Sequence, residues 1–296
     1  MKKMETDVLS THELADALGV SESSIKRWAD EGLLRVSRTA GGHRRIARAE
    51  AIRFARATRA AVVRPARLGL PEAGVAAADE RSGDDAERLY RYLERGAGAL
   101  ARGLVFQLYL EGQTVAAIVD GPVRAALERI GMLWHERADG VFCEHRATEF
   151  CAQALHQLRL LLVPPAGAPL ALGAAPAGDP YLVPSLAAAA VLASEGFDTV
   201  NLGADTPIEA LEQAVESLGP RLVWVSMSAA PHSERLGREL AALARTLAPR
   251  GAHLAVGGRA AAGLRLPALP NLQVGASMAE LAAFARGLAS AAPARD

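Results

Sequence analysis

Three groups of residues in this 296-residue chain could do chemistry. The first is Trp134-His135 followed, ten residues on, by Glu144-His145. An indole plate, a carboxylate and two imidazoles gathered at one end of a helical domain could stack on a flat ligand and hydrogen-bond to it. They could also reach a metal ion, with His145 the candidate ligand. Taken singly each is ordinary, since a tryptophan is more often core than contact. The second group sits where apolar runs end: Gly178-Asp179, Gly203 with Asp205 and Thr206, Ser226 and Ser228, and Gly257-Gly258. Small and hydroxylated residues at every such end leave room for a bulky ligand. The third group is cationic. Ser23, Lys26 and Arg27 share the outer side of a short helix, and Arg38, His43, Arg44 and Arg45 surround the glycines of a tight turn. Donors of this kind fit base edges and phosphates.

The elements that must position these groups follow from periodicity. Residues 10–18 read as a helix capped by Ser10 or Thr11, with Leu14, Ala15 and Leu18 inward. Gly19-Val20 makes a turn, Ser21 caps a second helix, and Ile25 and Trp28 face the core. Two helices joined by a tight glycine turn form the helix-turn-helix pattern, and the basic run from Arg35 to Ile46 reads as a β-wing. Residues 61–82 are rich in Ala, Pro, Gly and charge and read as a linker. From about 84 to 163 proline is nearly absent, and four helical segments emerge at 84–101, 102–111, 114–134 and 139–163. Pro122 is expected in the first turn of a helix. From 168 onward, short apolar strands beginning at Leu170, Thr199, Leu222, His253 and Leu272 alternate with helices. That rhythm implies a parallel sheet covered on both faces, with ligands outside the carboxyl ends of its strands.

Charge supports the division. Residues 1–70 hold 14 Lys and Arg against 8 Asp and Glu, a net +6, and the other 226 residues carry 19 against 25, a net −6. A basic head on an acidic body suits a polyanion partner for the head. No apolar run reaches the roughly 20 residues that span a bilayer, and the N-terminus lacks an apolar signal core, so a cytoplasmic protein without membrane contact is expected. Cys143 and Cys151 lie eight residues apart on one expected helix, about 12 Å at 1.5 Å per residue. They cannot pair with each other.

The run Leu9, Ala-Leu-Gly-Val-Ser, Arg27-Trp28, Glu31-Gly-Leu-Leu and Arg38-Thr-Ala-Gly-Gly-His-Arg-Arg resembles the DNA-binding domain of the MerR family. Gly196-Phe-Asp-Thr-Val-Asn-Leu-Gly-Ala-Asp-Thr-Pro is similar to the cobalamin-binding fold at its second strand. The order of domains resembles the cobalamin-dependent photoreceptor repressors of carotenoid genes. The resemblance implies a multidomain chain: a winged helix-turn-helix (1–62), a linker (63–82), a four-helix bundle cap (83–165) and a doubly wound, flavodoxin-like α/β domain of cobalamin-binding type (166–296). It implies double-stranded operator DNA as partner, adenosylcobalamin as ligand, and a homo-oligomer, dimer or tetramer, that light takes apart. Trp134, Glu144 and His145 would cap the corrin, and Ser226 with Gly257-Gly258 would meet its nucleotide tail.

One loop departs from the family. It normally runs Asp-x-His-x-x-Gly, with the histidine below cobalt; this chain runs Asp179-Pro-Tyr181-Leu-Val-Pro184. A phenol, ionising near pH ~10, is a poor cobalt ligand at neutral pH. Three readings follow: cobalamin held without a protein lower ligand; another tetrapyrrole, heme or bilin, met by His145, His135 or Cys143; or a domain kept for oligomerisation. No stretch is long enough for the barrel in which cobalamin enzymes carry substrate chemistry, so a regulator rather than an enzyme is expected.

Overall fold

The structure, a computed structural model, describes residues 8–70, 83–229 and 234–290. It divides into two compact units, Met1–Thr114 with Ala125–Phe150, and Val115–Arg124 with Cys151–Asp296.

In the first unit, β1 (Val8–Ser10) leads into α1 (Thr11–Leu18), α2 (Glu22–Asp30), β2 (Ser37–Arg38), β3 (Arg44–Ala47) and α3 (Arg48–Thr58). Ser10 and Glu13 close a reciprocal cap on α1. The Glu13 N–H donates to Ser10 Oγ at 3.2 Å and the Ser10 N–H donates to Glu13 Oε2 at 2.8 Å, which holds the Glu13 carboxyl below the usual carboxylate range. Gly19 ends α1 at φ +66°, in the left-handed region that glycine enters without strain. Ser21 then caps α2 by accepting from the Ser24 N–H. Leu14, Leu18, Ile25, Leu34, Ile46 and Phe54 are buried together, and Trp28 packs on Phe54 with ring centroids 5.0 Å apart. The strands form an antiparallel sheet of order β1-β3-β2.

Residues 63–70 fall within the expected linker, yet they lie against α1. The Val63 and Arg64 N–H groups donate to Ala17 O, Arg67 pairs with Asp16 at 2.9 Å, and Leu68 and Leu70 are buried. The rest of that linker, 71–82, lies outside the described residues.

The helical domain comprises α4 (Asp85–Glu94), α5 (Gly98–Leu110), α6 (Val115–Ile118), α7 (Arg124–Glu136) and α8 (Gly140–Leu161). Two details correct the sequence reading. The first two helices break at 95–97, not at 101–102. Gly96, at φ +78°, donates to Leu93 O and Ala97 donates to Tyr92 O, the paired bonds of a glycine-terminated helix. Pro122 is not in a first turn. It lies inside a π-helical turn, Val119–Val123, where the widened backbone tolerates a residue with no N–H to donate. On α8, Cys143, Ala147, Cys151, Ala154, Leu155 and Leu158 form the buried stripe. Both cysteines are free, and burial pushes the Cys151 thiol up to about 12.

The head is fastened to this domain by Arg56 of α3. Its guanidinium sits 3.5 Å over the Tyr109 ring and donates to Tyr109 O, which also accepts from Gly112 N–H at 3.1 Å, and to Gln113 O just beyond the end of α5.

In the second unit, β4 (Leu170–Ala174), β5 (Asp198–Asn201), β6 (Leu222–Ser226), β7 (His253–Gly257) and β8 (Leu272–Gly275) form a parallel sheet of order β5-β4-β6-β7-β8. The flavodoxin-like order expected from the sequence is therefore present. Helices α9 (Leu182–Ser194) and α12 (Met278–Ser290) cover one face, packing on Ala171, Leu222 and Trp224. Helices α10 (Ile208–Leu218) and α11 (Glu234–Leu247) cover the other, packing on Leu172, Val223 and Val225. Asp120, in the π turn, accepts from the Met278 and Ala279 N–H groups at 3.0 and 2.9 Å and so caps α12. No helix among the described residues is long and apolar enough to cross a membrane.

Replacing Arg56 with Ala removes a stacked cation and its hydrogen bonds to the Tyr109 and Gln113 carbonyls. The expected loss is on the order of 1–2 kcal/mol, read from urea denaturation of the full chain, and Arg56→Lys should recover only part of it.

Candidate functional site

The basic surface is built on α2 and the wing. Ser23, Lys26 and Arg27 are exposed on α2, opposite buried Ile25. Lys26 and Arg27 make ion pairs along the helix with Glu22 and Glu31, at 3.0 and 3.9 Å. Exposed pairs of this sort contribute little and do not withhold the cations from a phosphate. Arg38 and His43 are exposed at the wing, where Thr39 N–H donates to His43 O at 2.9 Å and Gly42, at φ +78°, allows the reversal. Arg45 lies half-buried on β3.

Arg44 differs from the free phosphate contact expected of it. Its guanidinium bonds Asp30 at the end of α2, and the side chain is largely covered. It ties the wing to the helix that would read the groove. Arg35, which opens the basic run read as the wing but was not named as a contact, is exposed, with its backbone N–H fixed by Glu50 at 2.8 Å. Its position at the base of the wing was a usable signal.

Trp134 and His135 end α7, and Glu144 and His145 lie in the first turns of α8. Trp134 is 64 % exposed and stacks on His135 with centroids 5.4 Å apart and planes 14° from parallel. His145 is also exposed, with Nε2 3.4 Å from Glu144 Oε2. These four side chains lie on the open side of their helices, together with exposed Val141 and Phe142. Cys143 points the other way: it belongs to the buried stripe of α8, with Sγ 3.7 Å from Asp139, which removes it from the possible tetrapyrrole ligands. Among the described residues no three His, Cys, Asp or Glu side chains converge as a metal site.

In the second unit the strand ends are knitted together by Asp179. Its carboxylate is wholly buried: Oδ1 accepts from Tyr181 N–H at 3.1 Å, and Oδ2 accepts from the Ser228 and Ala229 N–H groups at 2.5 and 3.1 Å. Its carbonyl accepts from Asp205 N–H at 3.0 Å, and Asp205 Oδ1 accepts from Gly178 N–H at 2.8 Å. Three loops, after β4, β5 and β6, thus meet at one residue. Asp205 itself is held at φ +51°. Gly203, at φ +97°, has nothing within 4 Å of where a Cβ would stand, while its N–H donates to Asn201 Oδ1 at 3.1 Å and its carbonyl accepts from Ala175 N–H at 2.8 Å. Thr206 and Ser226 are buried, while Ser228 is half-exposed. Gly258 is required by packing: a Cβ would come 2.3 Å from Met227 O. Gly257 accepts from Met227 N–H at 2.8 Å.

Tyr181 is 41 % exposed at the start of α9. The strand ends, with open space at Gly203 and a half-exposed Ser228, leave room for a large ligand lying on them. A phenol at the head of α9, and a carboxylate saturated with backbone N–H bonds, do not fit a histidine-type ligand to its metal.

Comparison with known proteins places two family models on the chain. Residues 10–46 match the model of the MerR family regulatory protein, and residues 85–159 match that of a B12 binding domain. The monomethylamine corrinoid protein of Methanosarcina barkeri shares the fold, with TM-score 0.50 and 18 % identity over 68 % of this chain and 96 % of that one. A winged DNA-reading head joined to a B12-binding-type body defines a ligand-regulated transcription factor. The HTH-type transcriptional repressor CarA of Myxococcus xanthus is 30 % identical over 242 residues, 80 % of this chain and 82 % of that relative. The chain belongs to this family of MerR-type, B12-domain transcriptional repressors.

Two outcomes follow from the geometry. Arg38→Ala should weaken binding to all DNA sequences alike and lower the salt slope by about one, whereas Asp30→Ala should reproduce the effect of Arg44→Ala. Fluorescence anisotropy at several salt concentrations separates the two behaviours. Asp179→Ala leaves three N–H donors without their acceptor, and at about 1–3 kcal/mol for each buried one the expected loss is about 3 kcal/mol or more in urea denaturation.

Proposed function

We propose that this chain is a repressor whose hold on operator DNA is set by a cobalamin, adenosylcobalamin in the active form, with light as the signal that ends repression. The observation that carries the reading is the set of strand ends: three loops locked by one buried carboxylate, with open space at Gly203 and a half-exposed Ser228, in a chain headed by a MerR-type DNA reader. When bound, adenosylcobalamin supplies a cobalt–carbon bond that light cleaves. The rest is the work of this chain's residues. Gly203, Thr206, Ser226, Ser228 and Gly257-Gly258 are the candidates to receive the macrocycle edge, and Trp134, His135, Glu144 and His145 are a separate aromatic and polar group able to contact a flat ligand.

A ligand shifts an equilibrium only as far as it binds one state better than the other. The two states proposed are a homo-oligomer that grips the operator and a smaller form that releases it. Catalysis is not part of the proposal. The family member named above is a repressor, and this chain has no stretch long enough for a separate catalytic barrel.

The test is direct. Purified protein mixed with adenosylcobalamin in the dark should show a corrin spectrum, a larger hydrodynamic size and tighter operator binding, all reversed by illumination. Trp134→Ala or His145→Ala should abolish that reversal while leaving binding to non-specific DNA unchanged. Failure to take up the cofactor at saturation would end the cobalamin reading. A heme or bilin spectrum in protein from the native host would transfer control to that tetrapyrrole.

A further inference from the structure

In a doubly wound sheet of this order, ligands enter where the strand order reverses, between β4 and β6. What lies inside the sheet beneath that entry decides how deep a ligand can go. Alternate residues of a strand share a face, so Leu222, Trp224 and Ser226 of β6 all point toward α9 and α12. Any group passing Ser226 on that side meets Trp224 next.

Trp224 is 2 % exposed and is the largest side chain in a cluster that is half alanine, with Leu192, Phe197, Leu222 and Leu288 its other large members. Across from it β4 has no side chain at all. A Cβ on Gly173 would stand 2.1 Å from the indole, so the glycine is the space the ring occupies. The ring is also pinned. Its Nε1–H donates to Ser185 Oγ at 3.0 Å, Ser185 Oγ–H donates to Asn201 Oδ1 at 2.9 Å, and the same oxygen accepts from Gly203 N–H at 3.1 Å. The indole is thereby connected to the turn after β5, one of the strand ends.

We infer that Trp224 closes the interior of the sheet below the strand ends, so that a ligand rests on them and inserts no aromatic appendage between β4 and β6. Applied to a cobalamin, and resting there on the functional reading above, this means that its benzimidazole stays outside the sheet. The lower position on cobalt is then served by the ligand's own base and not by a side chain of this protein. Tyr181 at the head of α9 agrees with this: the loop offers no imidazole, and the slot that a displaced base would need is already filled.

The experiment has two arms. In the first, cobalamin bound to the unmodified protein in the dark is examined by absorption spectroscopy. A base-on spectrum is expected, and a base-off spectrum would overturn the inference. In the second, Trp224→Ala is titrated with indole and with benzimidazole while its melting temperature is followed. An apolar cavity lined by small side chains takes up an aromatic of matching shape, so a rise of several degrees is expected in the variant and none in the unmodified chain. A folded variant that ignores both compounds would also overturn the inference. Should Trp224→Ala not fold, Trp224→Leu titrated with benzene replaces it. Absence of any cobalamin binding would remove the functional reading and leave the slot to be decided by the second arm.

Discussion

The carboxylate of Asp179 is shut off from solvent and accepts three backbone N–H bonds, two of them from the loop after β6 and one from the start of α9. Loops after parallel strands have no ladder to hold them, and their backbone donors need partners from elsewhere. Here a single side chain supplies those partners, and its own carbonyl holds Asp205, which in turn holds Gly178. The openness at Gly203 goes with this arrangement. No side chain crowds the place of a Cβ there, and Asp205 stays at positive φ, with the loops fixed by Asp179. A rigid, open floor suits a large ligand. The aspartate is committed to backbone donors on both oxygens, and the loop it opens carries Tyr181 where the family has an imidazole.

Much of this was legible in the chain. The strand starts, the order of head, helices and sheet, and the inward faces of α1 and α2 follow from periodicity and capping, because those signals are local. Four departures were not legible, each for a physical reason. The break after α4 depends on Gly96 adopting a left-handed conformation, and glycines elsewhere in a helical pattern do not. Pro122 reads as a helix start until a widened turn accommodates it in mid-segment. Arg44 looks like any wing arginine, and only the folded distance to Asp30 shows that it holds the wing. Trp224 reads as one more apolar strand residue. Its importance comes from Gly173 across the sheet, a pairing that sequence spacing does not reveal.

The same pairing explains a composition that is otherwise odd. Where alanines meet across the face against α9 and α12, as Ala171, Ala189 and Ala255 do, little area is buried per residue. One indole set into that wall restores the missing volume, and the hydroxyl of Ser185 removes the cost of burying its N–H. Stability of the face and exclusion from it therefore arise from one side chain. Evolution toward a different ligand depth would have to change Trp224 and refill the wall together.

Both edges of the sheet bear on how copies of the chain could meet. An open parallel sheet ends in strands with unpaired backbone groups, a standing invitation to strand addition. At β5 the outward Thr199 groups are taken: its carbonyl accepts from Arg159 at 3.1 Å and its N–H donates to Asp198 Oδ1 at 2.9 Å. At β8 the Val274 carbonyl accepts from the Gln273 side chain at 3.1 Å. Both strands are also only four residues long. Association by extending the sheet is thus disfavoured at either end, and an oligomer of this chain must be assembled through side-chain surfaces. Such contacts can be made or broken by a ligand without disturbing the ladder of the sheet, which is what reversible control of an assembly requires.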